Sequence, residues 1–291
     1  MAKTGPQKYP GASTKYWYGS RYPGSAMETN VVVWHSTEGT SLPTYGGGAS
    51  APTLTAKPDF KAKKLVWYQH VDFDTSARAL VNKAGGVETN TLNAAQVEIV
   101  GTCDPATHAK WTKAGAAHLY MPELPDWAIR DLAAFAKWAN TAHGVPLSSG
   151  LTFEAYPSSY GSGAGVRMSG AAWLGFKGHC GHQHVPENDH GDPGNFPMAA
   201  ILAAAKGTTP PATPPKETPV ATTDDRVKDL HTNLLTIGSL TEVDTKGARV
   251  NHAAGYYLAH IERDTTALQV QVAVLTKQVT ELTALVKSLQ S

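Results

Sequence analysis

Cysteine is almost absent, with Cys103 and Cys180 the only two in 291 residues, so no disulfide framework holds this fold together. Long apolar runs are missing too, none approaching the roughly 20 residues needed to cross a bilayer. No membrane insertion is therefore expected. Neither sign of charge is in excess: 25 basic and 24 acidic residues leave a formal net charge of +1. A chain without a basic surplus lacks the electrostatic footprint of a nucleic-acid partner. The N-terminal stretch MAKTGPQKYPGAS is polar and has no apolar secretory segment, which predicts synthesis in a cytoplasm without intrinsic export.

Histidine, by contrast, is concentrated. The string GHQHVPENDHGDPG, residues 181 to 194, packs His182, His184, His190 and Asp192 into eleven positions. Imidazole and carboxylate are ligands that Zn²⁺ accepts near tetrahedral geometry, and three protein ligands plus a water is the pattern of a catalytic rather than a structural site. A further ligand is expected upstream. His35, at the end of the apolar run VVVW in NVVVWHSTEG, is the candidate, because a buried strand delivers a rigid side chain to a sheet edge. Taken alone, a histidine after an apolar strand more often reads as a satisfied core or edge histidine; the cluster at 182 to 192 changes that weighting.

Three segments in this order resemble the type 2 N-acetylmuramoyl-L-alanine amidases, zinc enzymes that share their fold with the peptidoglycan recognition proteins. WHSTEG (34 to 39) is similar to the strand with the first ligand. QVEIVG (96 to 101) is similar to the strand bearing the catalytic acid, and GHQHVPENDHGDPG to the loop with the other two ligands. The resemblance covers roughly residues 28 to 205 and implies zinc held by His35, His182 and Asp192, Glu98 as general base, and His190 near the scissile bond. His184 and His190 depart from the commonest family pattern, which has an acidic residue two places after the second ligand and a lysine two places before the third. An imidazole still donates a hydrogen bond to a developing oxyanion, but it titrates near neutrality where lysine does not. The histidine clustering is similar to a phage-encoded, actinobacteria-directed branch, which implies an endolysin acting on the host cell wall after release. A rival expectation is a peptidoglycan-binding module without catalysis, as in relatives of the recognition-protein branch.

The chemistry requires such a set on its own terms. Zinc lowers the pKa of bound water to about 7 and polarises the carbonyl under attack, while a carboxylate that is not a ligand must take the proton and return it to the leaving amine. Glu98, between Val97 and Ile99, points to the face opposite those apolar neighbours if 96 to 101 is a strand; without the metal strings it would read equally as a solvated strand carboxylate. His179 and His184 are expected to be bystanders or groups that orient the ligands. His70, His108, His118 and His143 read as structural or exposed. Cys180 lies two residues before His182 and reads as a small buried residue beside the site. A bridge from Cys103 to Cys180 is geometrically conceivable, although a cytosolic origin argues against it.

The expected fold class is α/β, a mixed central sheet with flanking helices over residues 1 to 206, followed by a Pro/Thr-rich linker (207 to 223) and a helical C-terminal module (224 to 291). Strands are predicted at 30 to 35, 65 to 71 and 96 to 101. One helix is predicted from Asp126 to His143, stopped by Gly144, and another over MAAILAAAK after Pro197, closed by Gly207. The glycine- and serine-rich stretch 147 to 178 is irregular, a candidate for part of the substrate groove, with Tyr156, Tyr160 and Trp173 available to pack on a sugar or anchor the core. GTTPPATPPKETPVATT, with five prolines, suits an extended spacer. Beyond it come an amphipathic segment (224 to 237), a break at GSLTEVDTKG, and a heptad array from Leu258 to Leu289 whose Val and Leu positions favour a two-stranded parallel coiled coil. Self-association through residues 258 to 291 is the expectation, with a tail folded back on itself as the alternative.

Overall fold

A computed structural model describes residues 5 to 91, 93 to 208, 239 to 243 and 249 to 253. Two compact units divide the chain, Met1–Ala212 and Thr213–Ser291. The first is built on a five-stranded sheet in the order β3-β2-β4-β1-β5, made of β1 (Val31–Ser36), β2 (Leu54–Asp59), β3 (Lys64–Gln69), β4 (Ala94–Ile99) and β5 (Gly178–Gly181). β1 pairs parallel with β4 and β5, β2 pairs parallel with β4, and only β2 and β3 are antiparallel. Mixed α/β architecture is thus present. Four strands point the same way, so their C-terminal ends line one rim, the edge at which open parallel sheets commonly bind ligands.

β1 is buried along its whole length because both sheet faces are covered. On one face Val32, Trp34, Leu54, Val97 and Ile99 join Leu132, Phe135 and Ala136 of α3 (Asp126–His143) and Ile201 and Leu202 of α5 (Met198–Lys206). The opposite face is a smaller cluster of Val31, Val33, Leu80, Ala94, Trp173, Cys180 and Val185. Alternation along a strand then puts His35 and Glu98 on that second face, away from α3 and α5. The two cysteines belong to different clusters. Both are buried free thiols, separated by the sheet.

Both long helices occupy the residues their patterns predict. α3 ends at Gly144, whose φ of 72° closes the helix in the left-handed region, and α5 ends the same way at Gly207 with φ 70°. Elements that escaped the pattern include the short α1 (Tyr45–Gly48), α2 (Pro105–Lys113), which Asp104 caps by accepting from Ala106 N and Thr107 N, and the strands β2 and β5. β2 hides behind Pro58, which lies beyond Ala56, the last residue paired with β4, so its missing N–H costs no bond on that side. β5, GHCG, has glycines at both ends and blends into the histidine loop.

The stretch 147 to 178 contains the short helix α4 (Gly170–Gly175), with Ser169 as its cap, and the rest is irregular. Trp173 anchors the second cluster, 2% exposed, with its indole N–H on Glu88 O at 3.3 Å. Tyr160 is exposed. In the second unit β6 (Ser239–Val243) and β7 (Arg249–Ala253) pair antiparallel where a helical module with a break was expected. The predicted linker from 209 onward, the amphipathic segment 224 to 237 and the coiled coil 258 to 291 lie outside the described residues. Among the described residues no helix is long and apolar enough to cross a membrane.

Burial of His179 makes stability pH-dependent. Its Nδ1 accepts from Trp34 Nε1 at 3.2 Å, and burial lowers its pKa to about 3 from 6.5. Because the folded value is the lower one, the unfolded chain takes the proton first. Stability from the neutral ring is complete above the ordinary 6.5 and declines as pH falls toward the folded value, by about 1.4 kcal/mol per pH unit. Urea unfolding of a His179→Phe variant between about pH 4 and 6 should show a slope shallower by close to one proton; equal slopes would rule out a neutral buried ring.

Candidate metal centre

β1 carries His35 near its C-terminal end, and His182 immediately follows β5 in a single turn of 3₁₀ helix, His182–His184. Asp192 closes the loop that begins there. The three side chains are buried and form one group able to hold a metal ion, with donor atoms all within 4.8 Å of one another. His35 Nδ1 and His182 Nδ1 are 3.1 Å apart. Asp192 Oδ1 lies 3.1 Å from His182 Nδ1, and Asp192 Oδ2 lies 3.5 Å from His35 Nδ1. Tetrahedral coordination with bonds of about 2.0–2.1 Å separates neighbouring donors by about 3.3 Å, so the spacing fits a small four-coordinate ion.

Hydrogen bonds decide which nitrogen His182 offers. Asn188 Nδ2 donates to Val81 O and Pro186 O, which turns Asn188 Oδ1 toward Val81 N and His182 Nε2. His182 Nε2 therefore carries the proton, and its Nδ1 lone pair faces His35 and Asp192. Asp192 Oδ2 accepts from Ser36 N at 3.1 Å, while Gln183 N donates to Asp192 O and Gln183 Nε2 to Gly194 O. Arg167 ties the loop from outside: its guanidinium donates to the carbonyls of Gly161, His182, Val185 and His190. Both ends of the ligand loop are thus fixed to one side chain.

Electrostatics favour a cation here. Burial, and then the neighbouring His182, lower His35 to about 4, so its ring is neutral at pH 7. Burial works to raise Asp192, but the adjoining rings of His182 and His35 hold its carboxyl well below the ordinary range. Two imidazoles and a carboxylate that converge without a counter-charge are unfavourable in a buried pocket.

Glu98 sits beside the group. β1 and β4 pair His35 with Glu98, so the two side chains leave the same sheet face at the same rim. Burial above all, with Asp192 and Glu38 adding to it, raises the Glu98 carboxyl well above its usual range, and Glu98 Oε2 is buried without a hydrogen-bond partner. Such an orphaned oxygen marks a place where a ligand or proton is expected. Thr55 is register-paired to Glu98 from the other side. Its Oγ1 bonds Tyr45 Oη at 2.7 Å and His70 Nε2 at 2.9 Å. Because His70 Nδ1 donates to Tyr16 O, the chain runs one way: Thr55 donates to His70 and Tyr45 donates to Thr55.

The other candidates are sorted by the same geometry. His190 stands at the rim, its side chain 69% exposed, with Nδ1 3.7 Å from Asp192 Oδ1 and its ring stacked 4.9 Å from that of His182. His184 is turned away: Nδ1 accepts from Gly181 N, Nε2 donates to Thr152 O, and burial lowers its pKa. His179 projects to the opposite face against Trp34. His108 and His118 bond each other at 2.9 Å, and His143 donates to Pro6 O. A cavity of about 720 Å³ between residues 147 to 153 and α5 contains none of the predicted site residues. Asn188, Arg167 and the Tyr45–Thr55–His70 chain had no signal in the sequence, since their roles come from side-chain hydrogen bonds that only the folded loops and strands bring about.

Comparison of the chain with protein-family models finds no match, and comparison with curated proteins finds none either.

Asn188 offers a direct check on the metal centre. Replacing it with leucine frees the His182 ring, and an orienting partner of this kind is typically worth 10- to 100-fold in metal affinity. Competition with a chromogenic chelator should show a loss of about that size. Unchanged affinity would mean that His182 is not held as a ligand.

Proposed function

We propose that the N-terminal unit is a zinc-dependent peptidoglycan hydrolase that cleaves the amide between N-acetylmuramic acid and L-alanine, as the wall-cutting domain of a phage endolysin would. The observation that carries this reading is the buried His35–His182–Asp192 group with Glu98 register-paired to His35 on the same face. The resemblance of WHSTEG, QVEIVG and GHQHVPENDHGDPG to the type 2 amidases supplies the substrate. His35, His182 and Asp192 would hold the zinc, whose Lewis acidity polarises a carbonyl and acidifies water when the ion is bound.

Glu98 takes the proton from the attacking water and returns it to the departing L-alanine nitrogen. Its buried carboxyl, raised well above the ordinary range, has the high proton affinity this task needs. Water adds across the amide, leaving a lactyl carboxylic acid on the sugar and a free amine on the peptide. His190, exposed beside Asp192, is assigned the hydrogen bond to the carbonyl oxygen. Asn188 keeps His182 in the ligating tautomer, and the Ser36 amide holds Asp192.

Digestion of purified actinobacterial peptidoglycan with and without chelator tests the assignment. New L-alanine amino termini are expected by mass spectrometry, abolished by chelator and restored by zinc. Release that ignores the chelator, or termini at another bond, would refute it. Replacing Glu98 with glutamine should leave zinc bound and slow hydrolysis by at least about 10². A fully active variant would remove Glu98 as the proton carrier, and an inert wild-type protein that still binds wall would make this a recognition module.

A further inference from the structure

The motif WHSTEG holds one more charged residue, three positions past the first ligand. Glu38 has a φ of +50°, the left-handed region that side-chain-bearing residues seldom adopt. That backbone turns its carboxylate back over the ends of β1 and β4. Oε1 accepts from Ser36 Oγ at 2.6 Å and from Cys103 N at 2.9 Å, and Oε2 accepts from Thr102 Oγ1. All three donors lie at or just beyond the strand ends carrying His35 and Glu98. An ordinary solvated glutamate leaves its oxygens to water; here both are occupied by three fixed donors.

Two of these contacts lead to the same place. Ser36, held by its hydroxyl, donates its own amide to Asp192 Oδ2. Cys103, held by its amide, backs the chain just past Asp192: a Cβ on Gly194 would meet Cys103 Cβ at 3.0 Å. Asp192 is the only carboxylate of the ligand group, and it reaches the pocket from a loop rather than from a strand. Something must set its distance from His35 and His182.

We propose that Glu38 is a positioning residue for the metal centre: its carboxylate locks Ser36, Thr102 and Cys103 and thereby holds Asp192 at donor distance from His35 and His182. The proposal rests on the metal reading but not on the identity of the substrate. Glu38 bonds Ser36, Thr102 and Cys103 and none of the donor atoms, so its effect appears first in metal affinity.

The test uses the full chain stripped of metal and titrated with zinc against a chelator, with Glu38→Gly and Glu38→Ala compared to wild type. Glycine accepts a φ of +50° without strain and alanine keeps it, so the pair separates backbone relief from loss of the carboxylate. Both variants should bind zinc at least about 10-fold more weakly, the usual cost of removing a group that orients a ligand. Amide exchange in the metal-free variants should quicken at Ser36 and Cys103 and stay unchanged in α5. Zinc affinity within twofold of wild type in either folded variant overturns the proposal. If one variant fails to fold, the other decides by the same threshold. A wild-type chain that takes up no zinc removes the metal reading itself, and the proposal with it; normal zinc binding with indifferent variants removes only the role of Glu38.

Discussion

Two imidazole nitrogens and a carboxylate are forced to within 3.1 to 3.5 Å of one another in a buried pocket. Left to themselves, electron-rich atoms at that separation would turn away or find separate donors. They cannot, because each is held from behind. Rigid β1 holds His35, Asn188 commits the outer nitrogen of His182, and the Ser36 amide fixes Asp192. The Arg167 guanidinium then binds the carbonyls at both ends of the connecting loop. Arg167, in the irregular stretch before β5, thus helps fix the position of the loop that carries two of the three groups.

Burial separates the titratable groups by type. It drives His35 toward the neutral form and drives Glu98 toward the protonated form, while Asp192 stays ionised because His182 and His35 outweigh the cost of burying it. Neighbouring carboxylates pushed in opposite directions are the usual mark of a division of labour, one holding charge and the other moving a proton. Glu98 and Asp192 fit that division. The difference arises from their surroundings: Asp192 has imidazoles and a backbone donor, whereas Glu98 Oε2 has no partner at all.

The sheet supplies the frame in which these groups meet. Parallel pairing of β1 with β4 and β5 places His35, Glu98 and the start of the histidine loop on one rim. Their side chains share a face because register pairs in neighbouring strands point the same way. The opposite face is filled by α3 and α5, whose apolar stripes give the sheet its larger core. The candidate metal centre and the larger core therefore lie on different sides of the sheet. Phe135 and Leu132 pack in that core, while Asn188 hydrogen-bonds a residue of the candidate metal centre.

Local pattern was enough for the parts that obey local rules. The two long helices follow from apolar periodicity and a terminal glycine, β1 from an unbroken apolar run, and the histidine string from its density of ligands. The sequence by itself thereby determined the helical layer, the central strand and the residue types available for a metal. It did not reveal β2, broken by Pro58, or β5, too short and glycine-rich to stand out. The expectation that His35, 147 positions from His182, joins the ligands while His184 and His179 stand aside agrees with the structure, but the contacts that turn each ring were not legible. Those contacts depend on strand register and on hydrogen bonds such as Val81 N to Asn188 and Cys103 N to Glu38. Only tertiary structure decides them, because the energy of each contact comes from groups that chain connectivity leaves far apart and that sheet pairing alone brings together.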